Sequence, residues 1–466
     1  MRIFPRMWLH RAMPIISHLG VRSYYRVTVG GTPLPATGPV LIVANHNNSL
    51  VDPALAVVAA GRTVRFLTKA PLFDDKLIGW LIAAVGSVPV YRQQDDPTKL
   101  SQNLDSFRDV YAALKDGDAV GIFPEGITHS ASQLAPLKTG AARIAIGASH
   151  EIGHAFPIVA MGLVFRDRDR FRSDAHVIIS EPLVWDDLVG DMTSRSAVRE
   201  LTGRIEARMR SVTLNLERWE DEPLVRTAEQ VWRAEVGASR DPAEQITRLK
   251  TTTDALEAIR RGGVPHWHET AAELKAHARE LEILGLTPGE LKADVKVGEA
   301  VEWTVARIPL VLVIPVSVAG GIFFWLPKWI TTNIADRLTV AEGPESRVTH
   351  RVLVGAVVFL LWFLVVAAVV WEFAGVGWAL LALIVQPFWA FAATAVGDRR
   401  QHAFAAVRRF FLRRLEKPRL DALRERQHAI ALRLRGLYER VSGASRVAPE
   451  PGVPAPPSAE RDAVES

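Results

Sequence analysis

His46 and Asp52 are the residues whose types and spacing point most directly to chemistry. They lie in Val40-Leu-Ile-Val-Ala-Asn-His46-Asn-Asn-Ser-Leu-Val-Asp52-Pro53. An imidazole just beyond an apolar strand, with a carboxylate six residues later, is what base-assisted transfer to a hydroxyl requires. The ring takes the hydroxyl proton, and the carboxylate fixes the tautomer and stabilises the imidazolium. A structural reading of the same residues also exists. Asp52 before Pro53 suits a helix N-cap, with Pro53 at the first helical position, and Ser49-Leu-Val-Asp52 fits a capping box.

Other candidates sit near the ends of further strand-like runs. Arg92 closes Gly86-Ser-Val-Pro-Val-Tyr-Arg92, where a guanidinium can hold a phosphate through paired donors. Phe123-Pro-Glu125-Gly126-Ile-Thr128-His129 follows another apolar run. Glu125 could bond a polyol hydroxyl there, and Gly126 would let backbone approach a ligand. Lys138, ahead of Thr139-Gly140-Ala141, could add charge at a helix start. Each also has an ordinary reading: a surface arginine, a strand-to-loop turn, a solvated lysine.

Two histidine pairs imitate metal sites. His150-Glu-Ile-Gly-His154 matches the zinc-protease helix pattern, but Gly153 and the strand opening at Phe156-Pro157 predict that the helix stops before the second histidine. Pro265-His266-Trp-His268 reads as the loop before a helix. No metal is expected.

The elements around these residues alternate between strand and helix from Tyr24 to about Leu183. Strands are predicted at 27–29, 40–44, 64–67, 88–91, 119–123, 156–164 and 175–179. Helices are predicted at 53–60, 77–85, 98–115 and 139–149. The fold class is therefore α/β, with a mainly parallel sheet and active loops at strand C-terminal ends. Residues 1–23 read as an interfacial amphipathic helix, with packing on the next domain as the alternative. Residues 184–306 are polar and helical, an arm with breaks at Gly262–Pro265 and Gly285–Gly289.

Three uncharged runs follow, Ile308–Pro327, Val352–Trp371 and Phe373–Gly397, each able to cross a hydrocarbon core of about 30 Å. The basic tail after them (Arg399, Arg400, Arg408, Arg409, Arg413, Arg414) and the basic loop at Arg337, Arg347 and Arg351 are both met if 352–397 is a hairpin crossing twice. Residues 308–327 would then be re-entrant, broken by Pro309, Pro315, Gly320-Gly321 and Pro327. Residues 399–441 read as a basic cytosolic helix and 442–466 as a disordered tail.

Composition agrees with this layout. The 466 residues include no cysteine, which excludes disulfides, thiolate metal sites and a cysteine nucleophile. Hydrophobic residues make up 48%, high for a soluble protein and ordinary for one with a few membrane segments. A net charge of +5 suits an anionic partner, and basic residues flanking apolar runs favour a bilayer over nucleic acid.

Four ordered blocks carry a resemblance. They are Asn45-His46-Asn-Asn-Ser-Leu-Val-Asp52-Pro53, Gly86-Ser-Val-Pro-Val-Tyr-Arg92, Phe123-Pro-Glu125-Gly126-Ile-Thr128 and, least closely, Phe156-Pro157-Ile158-Val159. Together they resemble the glycerolipid acyltransferase family, which includes glycerol-3-phosphate and lysophosphatidic acid acyltransferases, over about 24–182. The commonest family pattern has four residues between His and Asp. The five found here resemble a branch with yeast-type glycerol-3-phosphate acyltransferases, whose members also carry a helical arm and C-terminal apolar segments.

The resemblance implies His46 as general base and Asp52 as its orienting partner. Arg92, Glu125 and Gly126 would form the acceptor site, with Thr128 and Lys138 beside it. It implies no cofactor, and acyl-CoA or an acyl carrier protein thioester as co-substrate. The acceptor would be glycerol 3-phosphate, or alternatively a lysophospholipid, at an integral-membrane enzyme whose active site faces the cytosol. Backbone amides near the His turn or another helix start would meet the oxyanion. Ser49 lacks the Gly-x-Ser-x-Gly setting of an acyl-enzyme nucleophile. A non-catalytic lipid-binding scaffold and a zinc hydrolase using His150 and His154 are the alternatives of another class.

Overall fold

The computed structural model describes residues 9–74, 79–91, 103–129, 133–189, 194–214, 221–237, 242–261, 267–292 and 308–445. Helix α1 (Met13–Tyr24) leads into strand β1 (Arg26–Gly31), then β2 (Val40–Ala44), α2 (Val51–Ala60), β3 (Val64–Lys69), α3 (Gly79–Ala84) and β4 (Val88–Val90). Next come α4 (Asn103–Lys115), β5 (Ala119–Ile122), α5 (Gly140–Ile152), the hairpin β6 (Ile158–Phe165) and β7 (Asp174–Ile179), and α6 (Arg195–Val212).

The seven strands form one sheet in the order β1-β7-β6-β2-β5-β3-β4. Neighbours are parallel except β6 and β7, which the short return after Phe165 makes antiparallel. The expected mainly parallel sheet is thus present. β2, at its centre, is buried along its whole length because both of its faces are covered. Leu41, Val43, Ile158 and Ala160 face a core with residues of α4, α5 and α6. Ile42, Ala44, Val159 and Met161 face the opposite core, which takes in Leu55, Ala56 and Val57 of α2. The alternation along each strand assigns successive side chains to the two layers.

Some boundaries move. Val198, Leu201, Ile205 and Met209 of α6 are buried in the sheet's core, so the compact sheet layer extends beyond the expected limit at 183. Helix α2 starts at Val51, not at Pro53, and Leu50 occupies the N-cap position without a side-chain cap bond. The capping readings of Ser49 and Asp52 therefore fail, and Asp52 sits inside the first turn.

A second compact unit gathers the described residues within 223–237, 251–292 and 418–445. It contains α7 (Glu222–Val236), part of α8 (Pro242–Arg261), then α9 (Trp267–Leu284) and α10 (Pro288–Lys292). Its core joins Leu224, Ala228 and Val231 of α7 and Leu274 of α9 to Ile430 and Ala431 of the last helix.

The apolar region belongs to the first unit. Helix α11 (Ile308–Phe323) runs through Pro315 and Gly320-Gly321, contrary to the expected breaks. The interruption falls instead at Phe324, before α12 (Trp325–Glu342). Helices α13 (Arg347–Ala374) and α14 (Val376–Leu415) follow, and then α15 (Lys417–Ser445), the last helix of the second unit. Gly320 is required where α11 meets α14, because a Cβ there would lie 2.7 Å from that of Ala393. Ser317 Oγ donates to Ala393 O at 2.8 Å, and Trp389 Nε1 donates to Val316 O at 3.0 Å.

Among the described residues two helical segments, Pro344–Ala374 and Val376–Thr394, are long and apolar enough to cross a membrane. Leu360, Leu361, Leu364 and Val365 of the first are exposed, as an all-round apolar helix facing lipid would be. The expected loop break at 262–265 and most of the expected tail, 446–466, lie outside the described residues, as do residues 1–8.

Candidate active site

β2 ends at Ala44, and Asn45 continues its register by side chain. Asn45 Oδ1 accepts from Leu163 N at 2.7 Å, and its Nδ2 donates to Leu163 O at 3.0 Å, tying the strand end to β6. His46 therefore emerges from a fixed point at the C-terminal edge of the sheet, the edge where α/β proteins collect ligands.

The turn from His46 to Asp52 closes on one carboxylate oxygen. Asp52 is fully buried, and its Oδ2 accepts from Asn47 N at 2.7 Å and Asn48 N at 2.6 Å. His46 Nδ1 lies 2.9 Å from the same oxygen. A proton on Nδ1 shared with the carboxylate leaves Nε2 with a free lone pair, the tautomer a general base needs. Nε2 has no hydrogen-bond partner among the described residues, and the His46 side chain is 18% exposed. The pair is thus open on its reactive side and closed on the other.

The loop after β5 grips His46 in three ways. Phe123 stacks on the imidazole with centroids 4.1 Å apart and planes 13° from parallel. Glu125 Oε1 accepts from His46 N at 3.0 Å, and His129 N donates to His46 O at 3.2 Å. Glu125 is itself buried, with Oε2 accepting from Ala135 N at 2.8 Å and contacting His129 Nε2. Both of its oxygens are engaged by protein, so the visible role of Glu125 is to hold the base, rather than to present a free carboxylate to a polyol.

Gly126 adopts φ +67°, and a Cβ there would stand 2.7 Å from Lys138 Nζ. The expected pair Gly126 and Lys138 is thus side by side, with Lys138 exposed and its backbone N–H donated to Pro124 O at 2.8 Å. Thr128 is half-buried on the same turn. Arg92 lies outside the described residues.

Pro157 is elsewhere. Its carbonyl accepts from Leu41 N at 3.0 Å, at the start of β2 and β6. Four strand residues at about 3.3 Å each separate that edge from His46. The fourth block is a sheet-pairing element at the far end of the strands.

A third layer of contacts had no clear signal in the sequence. Arg168, in the β6–β7 return, donates from Nη1 to Asn47 O at 2.9 Å. Asn48 Nδ2 donates to Tyr25 Oη at 2.9 Å, and Tyr25 in turn donates its hydroxyl proton to Arg168 O. Burial pushes the Tyr25 phenol well above its ordinary range, the Asn48 bond opposing only in part, so it remains a neutral donor. Asn48 carried a weak sequence signal as a polar residue beside the histidine. Tyr25 and Arg168 are distant in sequence and become neighbours only through the sheet order.

Five amides of the turn are committed. Those of 46, 47, 48 and 50 go to side chains, and Val51 N donates to Asn48 O. The expectation that amides near the histidine meet an oxyanion therefore fails for these five. Helix α5 ends at Ile152 with Gly153 in the left-handed region at φ +93°, and His154 Nδ1 contacts its neighbour Ala155 O. His150 and His154 therefore do not share a helix face.

Residues 26–196 match the family model described as Acyltransferase. The glycerol-3-phosphate O-acyltransferase 2 of Saccharomyces cerevisiae is 32% identical over 135 residues, covering 28% of this chain and 18% of that protein. The chloroplastic 1-acyl-sn-glycerol-3-phosphate acyltransferase LPAT1 of Arabidopsis thaliana is 27% identical over 161 residues, covering 34% and 42%. A lyso-ornithine lipid O-acyltransferase of Rhizobium meliloti is 34% identical over 148 residues, covering 31% and 45%. The matched stretch thus spans less than half the length of each of these relatives. The His46–Asp52 pair stands inside the matched segment, whose sheet carries it, and residues 26–196 are the part of the chain that is similar to the acyltransferase family.

Proposed function

We propose that the protein is a membrane-bound O-acyltransferase that moves a fatty acyl group from an acyl thioester to the hydroxyl of glycerol 3-phosphate, for phospholipid synthesis. The observation that carries this reading is the His46 Nδ1–Asp52 Oδ2 contact of 2.9 Å around a buried carboxylate, with Nε2 facing outward. His46 Nε2 takes the acceptor's hydroxyl proton as the oxygen attacks the thioester carbonyl carbon. The tetrahedral intermediate then collapses, the C–S bond breaks, and the imidazolium returns its proton to the leaving thiolate. Asp52 carries the counter-charge throughout. No cofactor enters these steps.

Lys138, exposed beside Gly126, supplies a cation next to the turn that holds the base, and Arg92 and Thr128 complete the proposed acceptor site. The two apolar helices support attachment to a bilayer, and in this reading the active site faces the cytosol, where acyl thioesters are made. The second reading, a lysophospholipid as acceptor, is favoured by the name of one of the three relatives, the 1-acyl-sn-glycerol-3-phosphate acyltransferase of Arabidopsis thaliana. Thiol release from acyl-CoA, measured against glycerol 3-phosphate, lysophosphatidic acid and other lysophospholipids, decides between them. The expected result is turnover with one acceptor that His46→Ala abolishes. A folded protein releasing no thiol with any acceptor would overturn the enzyme reading in favour of a lipid-binding scaffold.

A further inference from the structure

We infer that the foot of the first long apolar helix is a wall of the catalytic turn and that Thr349 is its positioning residue; the catalytic consequence rests on the acyl-transfer reading above. Leu50 stands between the strained Ser49, a non-glycine residue at φ +42°, and the first turn of α2. Its N–H is not used within the turn and is donated at 3.2 Å to Thr349 Oγ1, in the first turn of α13. Val348 beside it is fully buried in the same core as Ala44, Val51 and Leu55. Thus the helix does not merely pass the sheet: its end is built into the layer that underlies α2.

A second route reaches the same turn. Arg347 Nη1 pairs with Asp169 Oδ2 at 2.6 Å, and Arg351 Nη1 donates to Asp169 O at 2.9 Å. Tyr24 Oη donates to that carbonyl at 3.0 Å. Asp169 adjoins Arg168, whose guanidinium holds Asn47 O. Leu50 and Asn47, on either side of Ser49, are therefore both tied to the start of α13, one directly and one through the β6–β7 return. A left-handed serine relaxes when its flanks are free, and the relaxation would carry His46 away from Asp52. The helix that anchors the enzyme also sets the geometry of its base.

The test uses the full chain in detergent micelles. Thr349→Val keeps the side-chain shape and removes the acceptor, whereas Thr349→Ser restores it. Deuterium exchange of peptides covering 45–54 is expected to speed up about fivefold in Thr349→Val, with peptides of β2 and β6 unaltered. kcat for thiol release should fall about tenfold with the KM for acyl-CoA unchanged. Thr349→Ser should recover both. Unaltered exchange in Thr349→Val overturns the inference, as does a Thr349→Ser protein that behaves like Thr349→Val. Silence of the wild type with every acceptor would instead sink the acyl-transfer reading, and the exchange measurement would still decide whether Thr349 holds the turn.

Discussion

Asp52 Oδ2 lies 2.9 Å from His46 Nδ1 while accepting two backbone N–H groups of the turn that carries the histidine. One oxygen thereby sets both the backbone path and the imidazole tautomer. Asp52→Asn separates these jobs, since an amide oxygen can still accept the two amides but carries no charge to balance an imidazolium. Activity should fall about 10²- to 10⁴-fold with the fold retained. Thiol release and thermal unfolding measured side by side check this, and activity within tenfold of wild type would contradict it.

Glu125 offers a sharper choice, because its expected and observed roles predict different kinetics. As a ligand for acceptor hydroxyls, its loss would raise the acceptor KM. As the brace on His46 N, its loss should lower kcat. Glu125→Gln replaces one acceptor oxygen with a donor amide facing protein N–H groups, at a local cost of about 1–3 kcal/mol. The expectation is a lower kcat with the acceptor KM within threefold, from steady-state assays over an acceptor titration. A KM effect alone would return Glu125 to the substrate site.

Much of this was legible in the sequence for physical reasons. Val40–Ala44 is uniformly apolar because both faces of the strand are covered, and such a run announces a central parallel strand. His46 and Asp52 are close in sequence, so a single turn can join them. Legibility ended where contacts depend on sheet order. Tyr25 meets Asn48 because β1 and β7 lie on one side of β6, and Thr349 meets Leu50 across 299 residues. No local pattern encodes such pairs. The proline and glycine rule also misplaced the interruption in the apolar region. Gly320 serves close packing on Ala393 within a continuous helix, a use that looks identical to a breaker in one dimension.

Gly162 tests the packing under the site. It lies on β6 one residue before Leu163, the partner of Asn45, and a Cβ there would run into the carbonyl oxygen of Val212 at the end of α6. Backbone cannot yield as a side-chain tip can. Gly162→Ala should therefore destabilise by about 1–3 kcal/mol or more and loosen the strand end behind His46. Gly203→Ala, on α6 with open space around its Cα, should leave stability unchanged or improved. Equal unfolding temperatures for the two variants would show that α6 packs less tightly than described.

In the helical unit, His277 is fully buried with Nε2 3.3 Å from Gln427 Oε1. Burial pushes its pKa below the ordinary histidine value, and the charge of Arg426 adds to this against the Gln427 bond and Glu280. At pH above about 6.5 the ring is neutral in both folded and unfolded chains. Below that, the unfolded chain binds a proton that the folded one resists, so stability rises with pH across this window and is lost as pH falls. Glu235 behaves separately. Burial opposes its ionisation, but bonds from His428, Gln427 and Lys292 outweigh burial and hold its carboxyl below the ordinary range. Its contribution is present above about pH 4.5 and fades only under stronger acid. Deuterium exchange of the α9 and α15 peptides, corrected for intrinsic rates, should therefore quicken between pH 7 and 5.5. His277→Gln should flatten that dependence, and a dependence that persists unchanged in the variant would assign the titration to another group.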